Sequence, residues 1–226
     1  NFLDVVSVVL RHPYFLSGEL VVGHADRDIF CKVASSDYHA DIRVSQDILK
    51  QLSEAYRKIR NTARFILGNI HDFDPNTDAV ETSRLEPMDK WAIARLNGLI
   101  EKCREAYENF EYHIIFHAIH NFCVVEMSNI YLDIIKDRLY CDAKTGKKRR
   151  SGQTAIYIIL DAMVRLLAPI LAFTSNEIWL EMPHTKDANA EHVMLNDMIR
   201  PNAAWVISDE KQAFWASMFR FRTDVN

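Results

Sequence analysis

The sequence is poor in the residues that make tight turns. Glycine and proline number only six each among 226 residues. A β-sandwich or β-barrel needs frequent turns, so this scarcity argues against an all-β fold and favours long helices with short links. Hydrophobic residues make up 49% of the chain, which is enough to form a sizeable core.

The sequence also lacks the usual signals of several kinds of site. The four cysteines include no CxxC pair, which fits a reducing compartment and indicates no zinc site. The glycines are too scattered to form a phosphate-binding loop. The apolar run at residues 5–10 is too short to span a membrane and lacks the basic start of a signal peptide. The chain begins with Asn rather than Met, which we expect of a piece of a longer protein.

What the sequence does have is apolar residues at helical spacing, from about residue 44 onward. This pattern predicts an all-α antiparallel helix bundle over residues 35–182. Residues 1–34 are predicted to be a less regular N-terminal segment. Residues 183–226 are predicted to be an extension that packs on the bundle through Trp205 and Trp215. The predicted helices cover approximately residues 45–70, 89–110, 112–140, 153–168, 174–182 and 210–222.

Three details of these helices are specific enough to test. The second helix should bury a stripe that ends at Phe110. The third should bury a seam that ends at Ile130 and Ile134. The short fifth helix should begin with a capping box formed by Thr174 and Glu177.

The first predicted helix carries basic residues on its polar side. Residues 55–69 read AYRKIRNTARFILGN, with four basic residues and no acidic one. Three arginines and an asparagine share the face opposite the apolar stripe, without a carboxylate four residues further on. This face is either simply solvated or binds carboxylates of a neighbouring helix or RNA phosphates, since arginine suits bidentate contacts to both groups. The face comprises Arg57, Arg60, Asn61 and Arg64, with Lys58 on an adjoining flank.

A second basic cluster lies in the sequence KTGKKRR, which we predict to be a loop before the fourth helix. The cluster comprises Lys144, Lys147, Lys148, Arg149 and Arg150. The N-terminus of a helix attracts anions, so this loop is a candidate phosphate contact. The alternative is a flexible charged loop with no ligand.

The third helix carries His113, His117 and His120 along one flank. Histidines at this spacing can hold a metal ion, and a small metal-dependent enzyme is one hypothesis. Half-exposed histidines beside a core are the simpler interpretation, and we predict neither a metal site nor catalytic residues.

Several longer stretches resemble one family. The sequence SSDYHADIRVSQDILKQLSEAYRKIRNTARFILGN at 35–69 is similar to the start of the anticodon-binding helical region of isoleucyl-tRNA synthetases. Four further stretches follow in order and at the expected spacing. DIIKDRLY and DYHADIRVS look more like the isoleucine branch than the valyl, leucyl or methionyl relatives. The four stretches are MDKWAIARLN (88–97), CVVEMSNIYLDIIKDRLY (123–140), RRSGQTAIY (149–157) and LLAPILAFTSNEIW (166–179).

The resemblance implies that the chain binds isoleucine-accepting tRNA through its anticodon stem-loop. The parent enzyme would be a cytoplasmic, monomeric ligase that uses ATP and Mg²⁺ in a separate catalytic domain. The HIGH and KMSKS motifs of that domain are absent from this sequence, so we do not expect the chain alone to be catalytic. Residues 1–32 depart from the family pattern. The RNA contacts would come from Arg57, Lys58, Arg60, Asn61, Arg64, Lys147, Lys148, Arg149 and Arg150.

Single-stranded loop bases are usually read by stacking and by hydrogen bonds to their edges. Trp179, Trp205 and Asn61 are the candidates for this role, although Trp179 suits the core. Two other hypotheses stay open from the sequence: a helical scaffold that binds protein, and the anticodon-binding domain of a valyl, leucyl or methionyl relative.

Overall fold

The structure is a computed structural model that describes residues 46–225. Within that range the chain forms helices and no strands, which confirms the all-α prediction for this part. The predictions for residues 1–34 and the expected start of the first helix at residues 44–45 lie outside the described residues. The α-helices are α1 (Gln46–Ile70), α2 (Pro87–Glu108), α3 (Tyr112–Asn121), α4 (Leu132–Cys141), α5 (Lys147–Leu167), α6 (Ala172–Leu180) and α7 (Asp209–Val225).

The helices bury one face each around a shared core. Helix α2 packs against α3 and α5, and α1 packs against α5. The apolar stripe predicted for α1 is buried from Leu52 to Ile70, as the helical spacing required, while its first member, Ile48, lies outside the described side chains. The buried stripe of α1 comprises Leu52, Ala55, Ile59, Ala63, Ile66 and Ile70.

A π-helical segment, Phe122–Tyr131, joins α3 to α4 and changes which residues face the core. The predicted seam ended at Ile134, but this side chain is 41% exposed. The buried positions are instead Tyr131, Ile135 and Leu139. A π-helix has a wider turn than an α-helix, so it rotates all later residues relative to an uninterrupted pattern. Ile130 is partly buried against the core, and the seam prediction is wrong at Ile134.

The stripe predicted for α2 also ends early. Phe110 is 52% exposed and has a φ of 59°, a left-handed conformation that bulky residues rarely adopt. The Glu111 backbone N–H donates to the Ala106 carbonyl oxygen at 2.8 Å, which closes the end of the helix. The last buried residue of the predicted stripe is Ala106, and the prediction for Phe110 is wrong.

Two predicted helix starts are corrected. Helix α5 begins at Lys147, so residues 147–150 form its first turn rather than a loop. Helix α6 begins at Ala172 without a side-chain cap. The Thr174 hydroxyl group lies 2.8 Å from the Tyr56 hydroxyl group of α1, so it joins two helices instead of forming the predicted capping box.

The residues from 183 onward lie against the bundle. Trp205 and Trp215 are partly buried against the core, as predicted. The Phe219 ring of α7 contacts Trp91 at a centroid distance of 4.9 Å, and Trp215 stacks on Phe219 at 5.7 Å. In the part of the chain that the structure describes, no helix is long and apolar enough to cross a membrane.

Candidate nucleic-acid interface

The polar side of α1 faces solvent, and we call it the α1 basic face. It comprises Arg57, Lys58, Arg60, Asn61 and Arg64, all of which are exposed. Neither Arg60 nor Arg64 forms an ion pair with any residue in the range 46–225. Within the described chain, these two arginines therefore do not contact carboxylates of a neighbouring helix, which was one of the alternatives left open by the sequence.

Arg57 differs from its neighbours because it has a partner on its own helix. Its guanidinium group lies 2.5 Å from a carboxylate oxygen of Glu54, one turn earlier. The two side chains are 62% and 52% exposed, so solvent screens the pair strongly. Glu54 precedes Arg57 by three residues, so a search for carboxylates four residues after each arginine does not find this pair.

Arg149 lies inside the protein. Its terminal nitrogens, Nη1 and Nη2, donate to the two carboxylate oxygens of Asp72 at 2.8 and 3.0 Å. Its Nε donates to the Leu139 carbonyl oxygen, and Nη1 also reaches the Lys144 carbonyl oxygen, both at 3.1 Å. The hydrogen bond from Arg149 is the main reason that the pKa of Asp72 falls to about 2, although partial burial opposes the shift.

Arg150 is also engaged within the protein. Its Nη1 donates to the Asp72 carbonyl oxygen at 2.9 Å, and its Nη2 lies 3.2 Å from a carboxylate oxygen of Asp78. The predicted placement of Arg149 and Arg150 in a solvated loop is wrong, because carboxylates and carbonyls some 70 residues earlier face this helical turn. Their predicted RNA contact stays a prediction, and the geometry lends it no support.

Lys147 and Lys148 differ from the two arginines that follow them. Both are exposed, and neither forms an ion pair with the described residues. Arg149 contacts Asp72 just after α1, Leu139 near the end of α4 and Lys144 in the intervening loop. The first turn of α5, which carries both lysines, therefore lies near the C-terminal ends of α1 and α4.

A buried polar network holds α4 in place at this end. The Asp89 carboxylate of α2 is fully buried and accepts hydrogen bonds from three side chains. The donors are the Tyr131 hydroxyl at 2.8 Å, Arg138 Nη2 at 2.7 Å and the Ser151 hydroxyl at 2.5 Å. Because Arg138 is fixed to α2 in this way, the residues that follow it in α4 are fixed relative to the rest of the bundle.

An open pocket of about 410 Å³ adjoins the α1 basic face. The Tyr140 side chain at the end of α4 borders it and is 65% exposed. Sequence reasoning identified only Asn61 and Arg64 among its residues. An aromatic residue directly before a polar loop was the available signal for Tyr140, but its position opposite α1 depends on the packing of α4. The described residues that line the pocket are Asn61, Arg64, Phe65, Gly68, Asn69 and Tyr140.

The other candidates for base stacking lie elsewhere. Trp179 is 1% exposed, donates from Nε1 to the Asn189 carbonyl oxygen and lies under the Arg165 guanidinium group. It belongs to the core, as the alternative interpretation predicted. Trp205 is partly buried against the core and does not line the pocket described above.

The histidine row does not form a metal site. Within residues 46–225, no three His, Cys, Asp or Glu side chains are arranged to hold a metal ion. His117 and His120 instead contact the Phe116 ring, at centroid distances of 4.9 and 6.0 Å. Partial burial is the main cause that lowers the pKa of His120, and the nearby His117 and Lys58 add to it.

Comparison with known proteins relates the chain to a family. A family model described as the anticodon-binding domain of tRNA ligase matches residues 89–225. The isoleucine–tRNA ligase of Caldanaerobacter subterraneus subsp. tengcongensis is 48% identical over 196 residues, which are 86% of this chain and 21% of that protein. The isoleucine–tRNA ligase of Caldicellulosiruptor bescii is 55% identical over 161 residues, which are 71% of this chain and 17% of that protein.

This chain thus spans about a fifth of the length of the curated relatives that it matches. The family match covers more than half of its residues and includes α2 to α7. The chain therefore belongs to the anticodon-binding domain family of tRNA ligases.

Proposed function

We propose that this chain is the tRNA-binding helical part of an isoleucine–tRNA ligase and holds the anticodon stem-loop of isoleucine-accepting tRNA. The observation that carries the proposal is the α1 basic face, where Arg60 and Arg64 are exposed and have no carboxylate partner among the described residues. The family match and the relatives' names supply the class of ligand.

We assign different roles to the arginines and the lysines because their side chains bind phosphate differently. Arginine binds a phosphate group through two parallel hydrogen bonds, whereas lysine acts as a point charge. Contacts to the phosphate backbone position the RNA, and contacts to bases provide specificity. In this proposal Arg60 and Arg64 bind phosphates of the stem-loop, and Lys147 and Lys148 add less directional contacts at the same end of the bundle.

The rest of the reaction belongs to the parent enzyme. Its catalytic domain would bind ATP and Mg²⁺, activate isoleucine and transfer it to the tRNA in the cytoplasm, with the ligase acting as a monomer. We expect the chain alone to show no isoleucine-dependent exchange between ATP and pyrophosphate.

The proposal is tested by a salt titration of tRNA binding. Each phosphate contact that is lost should reduce the slope of log affinity against log salt by about 0.7 to 0.9. We expect the double substitution Arg60→Ala and Arg64→Ala to weaken binding and flatten this slope. Arg200→Ala is the matched control, because it removes one exposed arginine from the C-terminal segment.

Two outcomes contradict the proposal. One is that the unaltered chain binds no tRNA at low salt. The other is that Arg200→Ala reduces affinity as much as either Arg60→Ala or Arg64→Ala alone, since binding would then depend only on total charge.

The lysine pair is tested in the same titration. Point-charge contacts do not distinguish base sequences, so Lys147→Ala with Lys148→Ala should lower affinity for isoleucine-accepting and unrelated tRNAs by similar factors. A loss confined to the isoleucine-accepting tRNA would mean that this turn of α5 reads sequence, and the assigned role would be wrong.

A further inference from the structure

The histidines of α3 have no role in the proposed function, although they adjoin the α1 basic face. His117 is exposed, and His120 is half-buried three residues further along the helix. Helix α3 packs against α1. Partial burial lowers the pKa of His120, and the positive charges of His117 and of Lys58 on α1 lower it further. Lys58, His117 and His120 therefore lie close together where the two helices meet, and we call them the histidine cluster.

The Phe116 ring supports both imidazole rings of the cluster. Phe116 is only 5% exposed, and its ring centroid lies 4.9 Å from that of His117 and 6.0 Å from that of His120. The His120 ring is nearly parallel to it, with an angle of 21° between the ring planes. A side chain that already packs on a buried ring loses little further freedom when it binds a ligand, so the cluster is preorganised.

Among the described residues, the members of the histidine cluster have no negatively charged partner. None of the three forms an ion pair there. Glu126, the next carboxylate along the same helical run, accepts hydrogen bonds from Arg95 of α2 at 2.6 and 3.1 Å. An opposite charge within about 4–6 Å favours the protonated form of histidine. An anion bound over the cluster would therefore supply the charge that the described chain does not.

We propose that the histidine cluster binds a phosphate group of the RNA, and binds it more strongly as the pH falls and the histidines become charged. The inference rests on the proposed function and adds a pH-dependent contact to it. The charge of a histidine changes between about pH 5 and 8, and the charged ring offers two N–H donors. The arginines of α1 keep their charge over this range, so they bind the RNA at every pH while the cluster changes the affinity.

The continuity of the cluster with the α1 basic face favours RNA over a free phosphate ion as the ligand. Lys58 belongs to both groups and precedes Arg64 by six residues, which is about 9 Å along a helix. A strand whose phosphates contact Arg60 and Arg64 would carry further phosphates toward Lys58. A free phosphate ion would gain no attachment of this kind from the arginines.

The first test measures affinity for an anticodon stem-loop RNA from about pH 5.5 to about pH 8 at constant salt. The unaltered chain should bind more tightly at the acid end, by up to about fivefold for each histidine that gains a charge, as for exposed ion pairs. His117→Gln with His120→Gln should bind with little dependence on pH. His192→Gln removes an exposed histidine of the C-terminal segment and is the matched control, which should keep the full dependence. Circular dichroism at both ends of the range checks that each variant is folded.

A second measurement locates the contact on the protein. The imidazole C–H signals in NMR spectra report the pH at which each histidine is half protonated. Bound RNA should raise this midpoint for His120 and leave that of His192 unchanged, because a nearby phosphate favours the charged ring. In the free chain, Lys58→Ala should also raise the His120 midpoint, since the charge of Lys58 contributes, after burial and His117, to the lowered pKa.

The outcomes separate this inference from the proposed function. If the double histidine variant keeps the pH dependence of the unaltered chain, or if RNA leaves the His120 midpoint unchanged, the cluster does not bind RNA. Weak binding by Arg60→Ala with Arg64→Ala would then leave the proposed function standing. An equal rise of the midpoint with inorganic phosphate in place of RNA would show a site for free phosphate ions and overturn the inference. If the unaltered chain binds no RNA at low salt, both proposals are wrong.

Discussion

The two basic clusters have similar compositions but different environments. On α1, Arg60 and Arg64 are exposed and have no ion-pair partner among the described residues. In the first turn of α5, Arg149 is buried and Arg150 is mostly buried, and both contact the segment that follows α1. The difference shows that an arginine's role depends on whether a carboxylate lies within its reach, which the local sequence does not reveal.

The two lysines of the second cluster sharpen the comparison. Lys148 precedes Arg149 directly, yet it is exposed while Arg149 is almost completely enclosed. Successive residues of a helix point about 100° apart, so one turn presents residues both to solvent and to the interior. When a run of basic residues forms the first turn of a helix, some of its side chains therefore face solvent and others face the interior.

The largest predicted effect is on the internal arginine. Arg149→Ala removes the charged partner of the Asp72 carboxylate, which keeps only the Gln153 Nε2 donor at 2.7 Å, and removes a donor to two backbone carbonyls. Breaking a largely buried ion pair from one side costs about 3–5 kcal/mol, so we expect a loss of this size in the free energy of unfolding. Urea denaturation followed by circular dichroism measures it.

Lys148→Ala is the control for this measurement, and its effect should stay within about 0.5 kcal/mol. Equal losses in the two variants would mean that Arg149 is no more structural than its neighbour.

The second prediction concerns acid. The pKa of Asp72 is about 2 in the folded chain, against an ordinary value of 3.8. Because the folded pKa is the lower one, this carboxylate stabilises the fold above about pH 4, and the contribution is lost as the pH falls through 3.8 toward 2. The loss amounts to about 2 kcal/mol.

Unfolding measured from pH 6 to pH 2 tests this dependence. Asp72→Asn should be less stable at neutral pH and should show correspondingly less acid loss. Glu101→Gln, which changes an exposed carboxylate of α2, should keep the original profile. The same pH slope in both variants would contradict the assignment to Asp72.

A smaller effect on stability is expected on the α1 basic face. Arg60→Ala and Arg64→Ala each remove an exposed side chain that has no ion pair within residues 46–225, so each should change the free energy of unfolding by no more than about 0.5 kcal/mol. A fall in melting temperature of many degrees would show that the arginine has a structural partner in the intact chain. The comparison between the clusters would then no longer hold.

The smallest effect is expected at Glu54, whose exposed pair with Arg57 contributes about 0.3–0.5 kcal/mol. Glu54→Gln should reduce stability by no more than this amount. It should also strengthen RNA binding slightly, because it frees Arg57 and removes a negative charge from the basic face. Weaker binding by this variant would mean that Glu54 orients Arg57 for its contact.

Sequence reasoning succeeded where the pattern was local. The stripe of α1 follows from helical spacing alone, and its predicted positions from Leu52 to Ile70 are all buried. The third predicted helix follows the same rule as far as Met127, which lies within the π-helical segment. Beyond it Ile134 faces solvent and Ile135 faces the core, because the wider turn shifts the register.

In the candidate site too, the residues on one helix were predictable from the sequence and the residue from another helix was not. Spacing along α1 predicted that Arg60, Asn61 and Arg64 share an exposed face, and the structure confirms this exposure. Tyr140 was missed as a pocket residue because it faces these residues from a different helix. Its position depends on α4, which is held by the buried contact between Arg138 and Asp89.

By itself, the sequence determined the helical class of the protein, the buried face of α1 and the family, since each depends on residue types and their spacing along the chain. Tertiary structure alone decided which cations are internal and where the pocket lies. The Arg149–Asp72 pair joins residues 77 positions apart, and no periodic pattern specifies such a contact. Ion pairs and pockets arise from distances between helices, which only the packing of the bundle establishes.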